Sequence, residues 1–236
     1  MKKYLVNYAD KTYYNSQKNN SESGKNVVGF DDVFSYNRDD LPKDFCDKND
    51  KILNQDRGAG YWVWKPYVIK MALEQINNGD ILFYSDSGIT FIKPLDEIIE
   101  IMESTDNKLL LFELEDFHPN KRWTKRDTFH YMGLDEEPYL SSPQILASYI
   151  LMEKNEFVVS FIDEWLSYSE DYRLITDSPN ECGLDNYPEF YDHRHDQSIL
   201  SLLGRKYNIK NIPDISQYGN GRWVTSQILE HHRNRV

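Results

Sequence analysis

Residues 57–90 read RGAGYWVWKPYVIKMALEQINNGDILFYSDSGIT, and the order of features in this stretch decides the fold. A glycine-containing loop with packed aromatics leads into an amphipathic helix, and the helix into an apolar strand that stops at an acid. Pro66 suits the first turn of a helix, where its missing N–H is not needed and its fixed φ is already helical, so Lys65 stands at the helix start. Ile69, Ala72, Leu73 and Ile76 recur at helical spacing and form one apolar stripe, after which Asn77-Asn78-Gly79 supplies a left-handed stop. Ile81-Leu82-Phe83-Tyr84 is a short unbroken apolar run, as expected of a strand covered on both faces, and it delivers Asp86 at its carboxyl end. Ligands of open α/β sheets bind at that end.

Working outward, residues 4–8 read as a first buried strand followed by a loop at 9–11, and residues 33–36 as a second strand. With the polar, weakly helical segment between them they make the opening βαβ unit of a parallel sheet. Residues 37–56 form a surface connection with one short helix around 44–54, whose function is not readable. Downstream, Pro94 opens a helix to about residue 104, 108–115 is a strand, and 117–127 is a loop rich in charges and aromatics. Thr124 is placed to cap a short helix through Met132, and 142–152 is a loop feeding a strand. Asn155 caps a helix whose stripe of Phe157, Phe161 and Trp165 reads as core. Residues 172–192 form a long loop, His195-Asp196-Gln197 begins another amphipathic helix, and 209–212 is a last edge strand. The expectation is a single α/β domain over 1–236, a mostly parallel central sheet flanked by helices, with no internal repeat.

Composition narrows the function. At 236 residues and 39% hydrophobic content the chain can bury a full core. Its net charge of −12, from 27 basic and 39 acidic residues, argues against general nucleic-acid binding, which needs a basic face for counterion release. Its two cysteines, Cys46 and Cys182, lie far apart without ligand-like spacing, so neither a disulfide scaffold nor a zinc site is expected and a reducing, cytoplasmic setting fits. No apolar stretch approaches the ~18 residues of a membrane span. Aromatics at 14%, including 17 Tyr and 5 Trp, suit carbohydrate-facing surfaces or a tyrosine-rich core.

An acid at the carboxyl edge of a strand, with cations nearby, is chemistry for a diphosphate: the charge released onto it is met by a divalent metal on carboxylates, by Arg and Lys, or by both. Asp86 is placed for the first role and Arg57 and Lys65 for the second; the competing reading of Asp86 is a turn acid before Gly88.

At this point GYWVWKPYVIKMALEQINNGDILFYSDSG, with the early YYNSQKN, the KRD at 125–127 and the later HRHDQSILSLL, resembles small nucleotide-sugar glycosyltransferases of the glycosyltransferase-A (Rossmann-like) fold, found in bacterial surface-polysaccharide clusters and large DNA viruses. The tryptophan-lysine-proline block is its most specific part. The resemblance implies transfer of a sugar from a UDP- or GDP-sugar to a glycan or glycoprotein acceptor, with residues 1–115 as the donor half and 116–236 as the acceptor half and tail. The family's acid-any-acid motif, which binds Mn²⁺ or Mg²⁺ and the donor diphosphate, maps onto Asp86, Ser87 and Gly88, so the second acid is missing. His231 or His232 is the candidate to complete the ion's ligands, against a frayed polar tail. The family's donor-contacting basic residue resembles Lys65, with Arg57 second, and Tyr8 borders the base. Asp196-Gln197 resembles the Asp-Gln pair that faces the donor sugar in retaining enzymes, while Asp196 also suits a helix cap. Asp127 is the alternative catalytic base for an inverting reaction, or else one member of a solvated salt-bridge cluster. Trp123, Lys125, Arg126 and His195 fall on the acceptor side. Two rivals are a sugar-nucleotide pyrophosphorylase, disfavoured because residues 9–14 contain no glycine, and a catalytically degenerate glycan-binding module.

Overall fold

A computed structural model describes residues 1–232. Its strands are β1 (Lys3–Tyr8), β2 (Asp32–Tyr36), β3 (Ile81–Ser85), β4 (Ile89–Phe91), β5 (Leu109–Glu113), β6 (Ile145–Glu153), β7 (Lys210–Pro213) and β8 (Leu229–His231). Six of them form one sheet in the order β2-β1-β3-β6-β5-β7, and β4 pairs with β8 in a second, two-stranded sheet. β1 lies parallel to both β2 and β3, and β5 parallel to β7. β6 is antiparallel to β3 and β5, so it alone reverses a mostly parallel sheet.

Alternation along the strands sends successive side chains to opposite faces. Val6, Leu82 and Tyr84 pack on the face covered by the Trp64–Gln75, Glu156–Ser169 and His195–Lys206 helices. Leu5, Ile81 and Phe83 pack on the other, covered by the Asp96–Glu103 helix and the small sheet. The expected Phe161–Trp165 stripe is core, both rings being buried, and Asn155 does cap that helix by accepting from Val158 N at 2.8 Å. Truncating Trp165, fully buried, would cost about 3–5 kcal/mol.

Several boundaries differ from expectation. The central helix begins at Trp64, two residues before Pro66, which still falls in its first turn. The one helix expected around 44–54 is two, Lys43–Lys48 and Asp50–Leu53. Thr124 caps nothing: its Oγ1 instead accepts from Gln144 Nε2 at 3.2 Å, and the helix starts at Arg126. The polar segment after β1 is a ten-residue helix, Tyr14–Ser23, pinned by a buried lattice in which Asn20 Nδ2 donates to Ser85 Oγ and to Ile89 O, each at 2.8 Å. Among the described residues no helix is long and apolar enough to cross a membrane.

Candidate functional site

β1, β2 and β3 all end at the same edge, and Asp86 follows β3 there. Lys65, on the first turn of the central helix, points its ammonium across this edge and is 3% exposed. It lies 3.2 Å from Asp86 Oδ1 and 2.9 Å from Asp196 Oδ2, and donates to Ala147 O at 3.0 Å. Burial opposes its charge, but Asp196 and Asp86 outweigh that and hold its pKa above the ordinary value. Tyr84, wholly buried, donates its hydroxyl to the same Asp86 Oδ1 at 2.6 Å, leaving the outer oxygen of Asp86 for a ligand. The Asp196 carboxyl is pushed up to about 6, because burial disfavours its charge more than Lys65 restores it. No aligned hydrogen bond reaches its Oδ2, which meets Lys65 only as an ion pair. One lysine between two acids leaves the cluster with excess negative charge when both are ionised. Gln197 is held in the framework, its Oε1 accepting from Ala147 N at 3.4 Å and its Nε2 donating to Gln144 Oε1 at 2.9 Å.

The loop before this helix is wound backwards. Gly58, Ala59, Gly60, Tyr61 and Trp62 all have positive φ, and Tyr61 N and Trp62 N donate to Arg57 O and Gly58 O at 2.7 and 3.2 Å, closing one left-handed helical turn. Glycines make it possible: a Cβ on Gly60 would stand 2.7 Å from Leu53 Cα. Each L-residue in this conformation costs roughly 1–2 kcal/mol, so Ala59, Tyr61 and Trp62 carry strain that the surroundings must offset. Trp64 does so by donating from Nε1 to Gly58 O at 3.0 Å and stacking on Tyr8 at 3.9 Å, while Tyr61 packs on His195 at 4.6 Å between ring centroids.

Arg57 is not at the sheet edge. It binds Asp177 at 3.1 Å and Asp192 at 2.7 Å, so its charge is matched and ties this turn to the long 172–192 loop. A cation the sequence did not single out stands nearer: Arg38, which follows β2 at the same edge. It forms no ion pair among the described residues, its Nη1 is buried without a partner, and it is the main charge opposing the burial that pushes Tyr8 up to about 12. Its position inside a charged surface connection hid it, since only the β1–β2 pairing brings it beside Tyr8.

Gly88 and the tail explain each other. β8 lies antiparallel on β4, with Ile89 opposite His231, and His232 N donates to Gly88 O at 2.6 Å. A Cβ on Gly88 would stand 2.5 Å from His232 O, so no acid fits where the motif would place its second one. His231 ends β8 and His232 follows it directly; Arg233, Asn234 and Arg235 lie outside the described residues. Ser87 donates to Tyr8 O at 2.5 Å and so joins the β1 and β3 loops. Among the described residues no three His, Cys, Asp or Glu side chains converge as ion ligands. The donor set does not fit a protein-held Mn²⁺ or Mg²⁺, and no step below is routed through one.

The acceptor-side residues divide. Asp127 is fully buried and accepts from Glu181 N and Cys182 N at 2.9 Å each, with Lys125 at 3.7 Å. Burial raises its pKa, but those backbone donors more than reverse this and hold it below the ordinary range. A carboxylate so occupied anchors the 177–182 loop and has no face for an acceptor hydroxyl. Lys125 donates to Ser178 O at 2.6 Å and serves the same loop. Arg126 binds Asp135 at 2.8 Å and lies over the Tyr187 ring at 4.1 Å. His195, at positive φ and 1% exposed, is lowered to about 4 by burial and so is neutral near pH 7, bonded through Nδ1 to Ile175 O at 2.7 Å. Trp123 stays on the surface against Tyr191. Neither the surface hollow at 105–107 with 208–211 nor that lined by Tyr14, Gln17 and Ser35 contains Lys65, Asp86 or Asp196; the convergence of charged groups, not a hollow, locates the site.

No family profile matches the sequence, and no curated protein does. Solved structures with the same arrangement include a glycosyltransferase involved in glycosylation of the major capsid of PBCV-1, with TM-score 0.53 and 13% identity over 98% of this chain and 93% of the other. They also include GlyE of Streptococcus pneumoniae TIGR4, with TM-score 0.53 and 12% identity over 100% of this chain and 55% of the other. Mouse xyloside xylosyltransferase 1 superposes with TM-score 0.51 at 9% identity, over 98% of both chains. At these identities the likeness is one of fold: the chain has the glycosyltransferase-A fold.

Proposed function

We propose that the chain transfers a sugar from a nucleoside-diphosphate sugar to a glycan or glycoconjugate. The observation that carries this is the buried Lys65 bridging Asp86 and Asp196 at the carboxyl edge of a sheet whose fold is that of glycosyltransferases. The base lies along the loop after Tyr8, Arg38 meets the diphosphate, and the outer oxygen of Asp86 takes sugar hydroxyls. Asp196 faces the reacting carbon, where its excess negative charge stabilises the oxocarbenium-like transition state. Lys65 positions both acids instead of binding phosphate. Retention of configuration follows if the acceptor approaches from the face the diphosphate leaves, with Asp196 on the opposite face of the sugar.

Donor hydrolysis across a panel of UDP- and GDP-sugars tests the reading. Asp196→Asn and Asp86→Asn each lower turnover on the order of 10²-fold or more with the melting temperature kept. Unchanged turnover in both would remove the site. Runs with Mn²⁺, with Mg²⁺ and with chelator test the donor-set argument, which a tight stoichiometric Mn²⁺ site in the free protein would overturn. Gly88, closed off by the tail, favours one second reading, a glycan-binding module without turnover.

A further inference from the structure

Beside the helix that carries Asp196 lies a face the sugar-donor chemistry does not use. Phe117 and Tyr191 are 64% and 71% exposed, which is unusual for large rings unless something covers them. They are the ends of a run of rings: Phe117 to His118 at 4.4 Å, His118 to Trp123 at 5.5 Å, and Trp123 to Tyr191 edge-on at 5.3 Å. Two guanidinium groups sit on it. Arg194 Cζ lies 3.8 Å from the Trp123 ring centroid, and Arg122 Cζ lies 5.6 Å from that centroid and 5.7 Å from that of Tyr191.

The neighbouring charges make the position of Arg122 informative. Lys121 is matched by Glu189 at 2.9 Å, Glu115 by Arg222 at 3.7 Å, and Asp192 by Arg57 at 2.7 Å. Arg122 is exposed and forms no ion pair among the described residues, in a chain of net charge −12. Asp116, next to Phe117, is the adjacent acid and is not paired with it. Both arginines act on His118, whose pKa burial lowers and their charge lowers further against the opposing charge of Glu115. Flat rings hold the apolar faces of sugars, and neutral sugars need no more. A guanidinium held over those rings adds what a carboxylate or phosphate requires, two parallel donors and a charge.

The face is built into the site's framework. Tyr191 N donates to Arg122 O at 2.8 Å, Arg194 N to Trp123 O at 3.0 Å, and Ser198 Oγ to Trp123 O at 2.7 Å. Trp123 is therefore fixed to the first turn of the helix on which Asp196 stands.

We infer that this ring-and-guanidinium face holds the acceptor, and that the acceptor is an anionic saccharide bearing a uronate carboxylate or a phosphate. The word acceptor rests on the glycosyltransferase reading; the ligand's charge and saccharide nature do not. Tryptophan fluorescence of the full chain, titrated with a uronate oligosaccharide, a phosphate-bearing oligosaccharide and a neutral glucan of the same length, tests it. One of the charged ligands binds about tenfold or more tighter than the neutral one, and the preference shrinks as salt is raised. Arg122→Gln, an exposed change that leaves the melting temperature in place, removes about tenfold of the charged ligand's affinity and shifts the neutral one by less than about twofold. Equal affinity for charged and neutral saccharides, no binding of either charged ligand, or equal weakening of all three in Arg122→Gln overturns the inference. The stronger of the two charged ligands identifies the anion. Absent donor turnover with charged binding intact would sink only the glycosyltransferase reading, and turnover onto neutral glycans with no charge preference would sink only this one.

Discussion

The molecule contains two buried lysine–aspartate clusters, and they behave in opposite ways. At the sheet edge, Asp196 meets Lys65 at 2.9 Å and is pushed up to about 6. Against the 177–182 loop, Asp127 has Lys125 at 3.7 Å and is held below the ordinary range. Both carboxylates are buried, and the stronger ion pair belongs to the acid whose charge is less stable. The difference is in the hydrogen bonds. Asp127 receives the backbone N–H groups of Glu181 and Cys182, donors aimed at a charge that never moves. Asp196 Oδ2 receives no aligned donor, so its charge is conditional. Proximity of lysine alone distinguishes nothing; the count of fixed donors separates an acid held ionised from one whose charge is conditional.

The largest effect expected from breaking this contrast is at Lys65. Lys65→Met leaves the buried Asp196 and the half-buried Asp86 without their cation and costs about 3–5 kcal/mol at pH 7, measured by urea unfolding. The loss is smaller at pH 5, where Asp196 takes up a proton. In the natural chain a folded-state pKa of about 6 against the ordinary 3.8 means that Asp196 favours folding below 3.8 and that this contribution, about 3 kcal/mol, is lost as pH rises through 6. Stability of the natural chain relative to Asp196→Asn therefore falls between pH 4 and 7; a flat difference would refute the conditional charge.

Next in size is Asp127→Ala, which strands two backbone donors and costs about 2–3 kcal/mol. Its pH dependence has the opposite sign: a lowered pKa contributes stability above 3.8 that is lost as pH falls through the folded value, so the acid limb of the unfolding curve is what changes. Donor hydrolysis per folded molecule falls far less than in Asp196→Asn. A collapse of both to the same degree would erase the distinction between the clusters. The smallest effect is at Arg57, whose partners are about two-fifths exposed; Arg57→Ala costs less than about 1 kcal/mol by thermal unfolding, and a larger loss would mean that this tie supports the left-handed turn.

Much of the fold was legible because it depends on local pattern. The apolar runs at 81–84 and 109–112, the stripe from Ile69 to Ile76, the cap at Asn155 and the left-handed turn at Gly79 are statements about neighbours in the chain; the helix itself already ends at Gln75. What was not legible depends on distant pairings. The reversal of β6 leaves no mark on a strand buried on both faces, and the pairing of β8 with β4 is a contact between segments more than a hundred residues apart in the chain. For the site, Asp86 and Asp196 could be picked out by their place at element ends. Lys65 was read as a phosphate ligand because a helix start suggests exposure; in the fold Asp196 and Asp86 close over it. Arg57 was read at the donor edge because it precedes the helix, but a left-handed turn swings it to the opposite loop. Arg38 was overlooked for the converse reason: nothing in a charged connection marks which arginine will lack a partner.

That left-handed turn from Gly58 to Trp62 sets the chirality of the polypeptide against the shape it must adopt. Glycine has no handedness, and its two appearances here let a polymer of L-residues turn the other way before Trp64 stacks on Tyr8. In the other described helices the one positive φ is at His195, the first residue of its helix. At the approach to Lys65 stereochemistry and shape are opposed, and it is tertiary packing, not local preference, that decides the direction in which the chain enters its site.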